Sequence, residues 1–365
     1  VIEGIGPRYC PSIETKILRF PDKDRHQLFL EPEGLHTNEV YVQGMSTSMP
    51  MDVQLAFLHT IPGLRRARVM RAGYAIEYDC IDPLQLKPTL EFKAIRGFFS
   101  AGQSNGTSGY EEAAAQGLIA GINAAMRVRG KDPLIVKRSE GYIGVLIDDL
   151  VTKGTNEPYR IMTSRAEYRL LLRQDNADLR LTPHGRRVGL VTDARWAKFT
   201  KKRAAIEAAM KRLKEQTASP SEETNARLEA AGLAPIKTVM PVGDLLRRQG
   251  VSYAHLAQAF DLAPLDADVC EEVEIAIRYE GYIEKQLDQV AHMEKLEAKL
   301  LPDALDYVRV PSLRDEAREK LAAIRPRSVG QASRISGVSP ADVSVLLVYL
   351  EQQRRIKGEE GNGVV

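Results

Sequence analysis

Three stretches of the 365-residue chain hold residue types whose spacing supports chemistry. Arg8-Tyr9-Cys10-Pro11 sets a thiol beside a cation in a proline-stiffened turn. The cation lowers the thiol pKa and the turn fixes its direction, so Cys10 is a candidate thiolate nucleophile. Most free cysteines are instead buried small hydrophobes, and Cys80 and Cys270 read that way. The second stretch, Gly102-Gln103-Ser104-Asn105-Gly106-Thr107-Ser108-Gly109-Tyr110-Glu111, is a glycine-rich turn that also offers Gln103, Asn105 and Thr107. Ahead of a helix N-terminus, whose backbone N–H groups and dipole favour electron-rich atoms, such a turn suits a phosphate or a polar ring. Its glycines could equally serve only to relieve backbone strain. The third stretch spaces Arg165, Arg169 and Arg173 four apart, with Arg160 before, Arg180 after and Lys201, Lys202 and Arg203 beyond. Arginine rows are commonly solvated faces. Here Tyr159 and Tyr168 interleave, and arginine forks on phosphates with aromatic stacking grip folded RNA.

These residues need elements to hold them. Phe98-Phe99 reads as a buried strand entering the turn, and Ser108 with Glu111 as a capping box for the helix after it. Gly117 and Gly121 on that helix would let it lie close on a sheet. Ser164 and Glu167 form a second box, so a helix is expected from Arg165 to Asp175-Asn176, with the arginine row on one face. Upstream, Gln27–Leu30, Glu39–Val42, Tyr74–Tyr78 and Leu90–Ala94 read as strands and Asp52–Ile61 as a helix ended by Pro62-Gly63. Downstream, Gly141–Val151 reads as a helix, as do the stripe from Trp196 to Leu213 and that from Ile283 to Leu300. Gln216–Thr224 reads as a loop. Val329–Arg355 reads helix–turn–helix, with Ser339 capping and Pro340 at the first helical position. Its second helix is too apolar for a nucleic-acid groove and suits a bundle with one face for a protein partner.

Hydrophobic residues make up 44% of the chain and charged residues 27%, as in a protein with a real core. No apolar run approaches a membrane span and no signal pattern opens the chain, so a cytoplasmic protein away from membranes is expected. Three widely separated cysteines offer neither a disulfide framework nor metal spacing, so no metal is expected. The net charge of +2 hides an asymmetry: Gly141 to Lys214 carries sixteen Lys and Arg against eight Asp and Glu. A phosphate backbone is the partner this charge segregation indicates.

The run Ala101 to Gly117 resembles the C-terminal flavin-contacting segment of the glucose-inhibited division protein A family, also called MnmG. Gly6–Glu14, Glu31–Leu35, Ser46–Pro50, Gly73–Asp79 and Thr163–Asp178 resemble the same family, so the resemblance covers essentially the whole chain. One departure is large: the family's opening Gly-x-Gly-x-x-Gly fingerprint for the FAD pyrophosphate is absent, and the chain reads as the C-terminal part of a longer protein.

The resemblance implies an α/β plus all-α fold, a partial FAD-binding, Rossmann-like domain followed by a C-terminal helical domain. We divide it into 1–130, the second half of the FAD-binding and substrate domain; 131–280, a basic helical tRNA-binding region; and 281–365, a partner-docking bundle. The implied activity is FAD-dependent installation of a carboxymethylaminomethyl or aminomethyl group at C5 of the tRNA wobble uridine, with NADH as reductant and methylenetetrahydrofolate as one-carbon donor. Implied partners are tRNA, the GTPase MnmE at the C-terminal helices and a second copy in a homodimer of the full-length protein. FAD falls to Gly102, Gln103, Asn105, Gly106, Thr107, Gly109, Tyr110 and Glu111. The nicotinamide nucleotide falls to Gly6, Pro7, Arg8, Tyr9, Cys10, Pro11, Ser12, Lys16, Arg19 and Phe20. A thiolate adding at uracil C6 makes C5 enolate-like, which gives Cys10 its catalytic role. The alternatives are a folate-dependent tRNA uridine methyltransferase, a family without so long a helical tail, and a non-catalytic tRNA- or GTPase-binding fragment.

Overall fold

The computed structural model describes residues 11–74, 78–302 and 304–361, excluding the side chains of 354 and 356–361. It separates into two compact units, Val1–Leu86 with Leu90–Ala120 and Gly154–Arg160, and Lys87–Thr89 with Gly121–Lys153 and Ile161–Val365.

In the first unit, α1 (Ile13–Arg19) is capped by Ser12, whose hydroxyl accepts from Thr15 N–H at 3.2 Å. An antiparallel hairpin follows, β1 (Phe29–Pro32) against β2 (Val40–Gln43), close to the expected strands. Helix α2 (Met51–Thr60) ends at Ile61, where Pro62 starts a single 3-10 turn, as the Pro-Gly stop predicts. The strands expected at Leu90–Ala94 and Phe98 do not form: only the isolated bridges Leu86–Phe92 and Glu91–Phe99 join this segment. The buried Glu91 carboxylate accepts from Gly97 N–H at 2.7 Å and closes residues 91–97 into a loop. That loop stacks the Phe92 and Phe98 rings at 4.8 Å and leaves Phe98 52% exposed. The Tyr74–Tyr78 expectation lies partly outside the described residues.

Helix α3 (Tyr110–Val128) begins in the first unit and continues into the second. Its buried positions Gln116, Ile119, Ala120, Asn123 and Met126 recur at helical spacing. Gly117 and Gly121 are exposed, and beyond the neighbouring helix backbone no described residue lies within 4 Å of a Cβ placed on either.

The second unit is helical. It runs through α4 (Tyr142–Lys153), α5 (Ala177–Arg187), α6 (Asp193–Glu215), α7 (Glu222–Ala230), α8 (Tyr253–Phe260) and α9 (Ala267–Arg278). Leu213, Leu228, Leu245, Leu246, Leu256 and Val273 form the centre of one core, which the α6 stripe enters through Ala209 and Leu213. The expected 216–224 loop instead holds β3 (Thr217–Ala218), paired with β4 (Met240–Pro241), and the start of α7, capped by Ser221. A second core centred on Val310, Leu321, Val329 and Leu346 joins α11 (Asp315–Ile324), α12 (Val329–Ala332) and α13 (Pro340–Gly361). Helix α10 (Glu280–Glu297) contains no buried residue. At the start of α13, Ser339 and Asp342 exchange bonds: the carboxylate accepts from Ser339 N–H at 2.8 Å and the hydroxyl accepts from Asp342 N–H at 3.3 Å. Among the described residues no helix is long and apolar enough to cross a membrane. The architecture is thus mixed helix and sheet followed by a helical region.

Candidate functional site

The glycine-rich turn is a 3-10 turn, Gly102–Asn105, closed by Gly106 N–H donating to Gln103 O at 2.9 Å. Gly102 and Gly106 sit at φ of 79° and 84°, where a side chain is strained. A Cβ on Gly106 would also lie 2.9 Å from the Thr155 methyl. The turn is pinned from several directions. Gln116 Oε1 accepts from Gly102 N–H at 3.1 Å and from Asn105 Nδ2 at 2.8 Å. Asn105 Nδ2 also reaches Ser100 O at 3.0 Å. Gln103 Nε2 donates to Asp79 O at 2.8 Å, and Ile81 N–H to Ser104 O at 2.8 Å. Thr107 Oγ1 donates to Tyr159 O at 2.9 Å while Tyr159 N–H donates to Gly106 O at 2.7 Å.

Two side-chain atoms of this buried cluster, Asn105 Oδ1 and Gln116 Nε2, have no hydrogen-bond partner. One is an acceptor and the other a donor, and an unpaired buried polar atom costs about 1–3 kcal/mol. Flipping the Gln116 amide does not help, because it would turn an N–H toward Gly102 N–H. The helix opens one residue later than the expected capping box: Ala113 N–H donates to Gly109 O at 3.0 Å, and Glu112, not Glu111, folds back. A Cβ on Gly109 would lie 1.8 Å from a Glu112 carboxylate oxygen, so a side chain there would displace that carboxylate. Arg160 Nε donates to the buried Glu112 carboxylate at 2.9 Å. Tyr110 and Glu111 are exposed.

Of the stretch assigned to a nicotinamide nucleotide, Gly6, Pro7, Arg8, Tyr9 and Cys10 lie outside the described residues. Pro11 is half-buried. Ser12 is spent on its cap and Lys16 Nζ donates to Gly44 O at 2.9 Å, whereas Arg19 and Phe20 are exposed.

The arginine row does not lie on a helix. Residues Thr163–Arg165 make one 3-10 turn, 166–176 are irregular, and Asn176 begins α5 where an end was expected. The cause is non-local. Arg138 takes up the Glu167 carboxylate expected for the capping box, at 2.8 Å, and Arg165 O, at 3.1 Å. Arg173 is spent on Asp175 at 2.9 Å, Leu170 O at 2.7 Å and Glu272 at 3.0 Å. Arg180 donates to Asn176, Arg173 O and Glu140 O, and burial followed by the neighbouring Arg173 charge lowers its pKa. Lys202 bonds Asp178 at 3.0 Å and reaches Asp268 at 3.4 Å. Tyr159 and Tyr168, expected to offer stacking faces, are 2% and 8% exposed and belong to the core. The outward cations are Arg169, Lys201 and Arg203, the last 5.4 Å over the Phe199 ring. Cys80, read as structural, is exposed.

Sequence reasoning passed over Gln116, Glu112 and Arg138. A Gln and an Asn on the apolar face of α3 were the available signal for the first; nothing local marks Arg138.

Residues 1–132 match the family described as glucose inhibited division protein A. Residues 193–287 and 289–363 match the C-terminal helical domain and helical bundle of the tRNA modifying enzyme MnmG/GidA. The tRNA uridine 5-carboxymethylaminomethyl modification enzyme MnmG of Caldicellulosiruptor saccharolyticus is 60% identical over 97% of this chain and 57% of its own length. That of Enterococcus faecalis is 57% identical over 98% of this chain and 57% of its own. A crystal structure of Aquifex aeolicus GidA superposes with a TM-score of 0.77 at 47% identity, over 95% of this chain and 55% of that one. The chain spans rather more than half the length of the relatives it matches.

Proposed function

Because the chain belongs to the MnmG/GidA family, we propose that it supplies the flavin-turn and tRNA-gripping part of an enzyme that modifies C5 of the tRNA wobble uridine. The observation that carries this reading is the pinned turn with one buried amide acceptor and one buried amide donor unpaired. Native interiors seldom leave two such atoms in one cluster, which marks the turn as shaped for more than packing.

The residues present fit the edge of a flavin. The turn from Gly102 to Gly109, the exposed Gln103 and the α3 N-terminus with Tyr110 and Glu111 would hold FAD; Gln116 and Asn105 would fix the turn beneath it. When bound, FAD supplies two-electron redox chemistry. We assign the nicotinamide nucleotide to residues 6–20, with NADH as reductant and methylenetetrahydrofolate as one-carbon source. Cys10 adds as thiolate to uracil C6; once C5 is substituted, loss of the C5 proton to a base reforms the C5=C6 double bond and expels the thiolate. Wobble bases are reachable because anticodon-loop bases can be splayed from the stack. Arg165, Arg169, Lys201 and Arg203 hold tRNA phosphates, and the α11–α13 bundle takes the GTPase partner in a cytoplasmic homodimer. The helical matches beyond residue 193 favour this reading over a folate-dependent uridine methyltransferase.

Cys10→Ser in the full-length protein tests the chemistry, with modified-nucleoside yield and flavin absorbance read on one sample. Turnover falls at least about a hundredfold while flavin is retained. Near-normal yield demotes Cys10 to packing, and a wild-type preparation without flavin absorbance favours a non-catalytic binding fragment.

A further inference from the structure

We infer that Arg138 is the positioning residue for the tRNA-gripping pair Arg165 and Arg169: it fixes the backbone of the first and neutralises Glu167, the carboxylate between them. The inference rests on the tRNA reading above.

Segment 166–176 has no helical ladder of its own, so its conformation needs outside support. Arg138 supplies it. This guanidinium is 8% exposed and uses all three nitrogens. Nη2 donates to Arg165 O at 3.1 Å and Glu167 Oε1 at 2.8 Å, and Nε reaches the two Glu167 oxygens at 3.1 and 3.2 Å. Nη1 faces the other way, to Asp149 at 2.8 Å, Asp148 at 3.1 Å and Val145 O at 3.4 Å on α4.

The α4 side is rigid for reasons of its own. Asp149 also holds Lys153 at 2.8 Å, and Asp148 takes a two-pronged fork from Arg334 at 2.8 and 2.9 Å. Arg334 in turn donates to Gly330 O at 3.0 Å and Glu297 at 2.5 Å. Burial opposes the Arg138 charge, but Asp149, Glu167 and Asp148 more than offset it and raise its pKa. Arg138 is therefore a planar clamp, gripped by α4 on one edge and holding residues 165–167 on the other. A lysine is a point charge without that fork and cannot make both sets of bonds. Without the clamp, Arg165 and Arg169 lose their shared geometry and Glu167 repels the phosphates they meet.

The test is the slope of log Kd against log salt for undermodified tRNA and the full-length protein. Arg165→Gln/Arg169→Gln sets the reference and lowers the slope by about two; no change there refutes the tRNA reading itself. Given that drop, Arg138→Gln weakens binding at least about tenfold and lowers the slope by about one, and adds almost nothing on top of the double variant. Arg138→Gln/Glu167→Gln restores the local charge but not the clamp, and most of the loss persists; full recovery would overturn the positioning role. Arg138→Lys gives the same loss and serves if the Gln variant fails to fold. A lower melting temperature with an unchanged slope would also overturn the inference, leaving Arg138 a stabilising residue only.

Discussion

The glycine-rich turn and the basic segment spend their polar groups in opposite ways. In the turn, backbone and amide bonds pin every strand of the loop and still leave a buried acceptor and a buried donor unpaired. In the basic segment, the residues that sequence marks most strongly are consumed internally: Arg173 by Asp175 and Glu272, Arg180 by carbonyls, Lys202 by two aspartates. Of the cations expected to grip RNA, Arg169, Lys201 and Arg203 face outward and Arg165 is half-buried. The two regions differ in where their polar groups go: the turn's amides hold backbone, and the segment's cations hold carboxylates and carbonyls.

Variants that cross the two classes of cation give the largest effects. Arg173→Gln strands the buried Glu272 carboxylate, and at pH 8 we expect a loss of about 3 kcal/mol, read as a fall in melting temperature. The tRNA salt slope stays near wild type; a lower slope with unchanged melting would erase the division. Next comes Gln116→Leu, which removes the acceptor for Gly102 N–H and Asn105 Nδ2. It costs about 2 kcal/mol and, in the full-length protein, weakens flavin retention roughly tenfold. Unchanged retention would detach the paired amides from the cofactor.

Arg169→Gln and Lys201→Gln sharpen the outward class. Each changes stability by no more than about 0.5 kcal/mol yet lowers the tRNA salt slope by about one. The pH dependence of Glu272 tests the inner class by another route. Burial first, then its hydrogen bond with Asp175 and that residue's charge, push its pKa up to about 7, with Arg173 and Lys202 pulling the other way. A carboxyl raised in the folded state contributes stability that is full below its ordinary value and lost as pH rises through about 7. Glu272→Gln keeps the neutral form, so it melts higher than wild type at pH 8.5 and almost equally at pH 4. Equal melting at both would place the shared proton elsewhere.

Sequence reading succeeded where structure is local. Pro62-Gly63 ends α2, Ser339-Pro340 starts α13, and the Trp196–Leu213 stripe is the core face of α6. It failed where a partner lies far along the chain. Glu167 reads as a capping residue until Arg138, 29 positions away, takes its carboxylate. Phe98 reads as a buried strand until Glu91 closes the loop behind it. The turn was legible as glycines and polar side chains, but its fixing residue Gln116 was not, because amides on an apolar helix face look like tolerance. Cys10 remains a reading of sequence alone.

The most direct test of the account is the salt dependence of tRNA binding for two triple variants of the full-length protein, measured side by side. Arg169→Gln/Lys201→Gln/Arg203→Gln, the outward set, should lower the log–log slope by about three with melting nearly intact. Arg173→Gln/Arg180→Gln/Lys202→Gln should lower the melting temperature and leave the slope of the remaining folded protein near wild type. Equal slope losses in the two variants, or no loss in the first, would contradict the account.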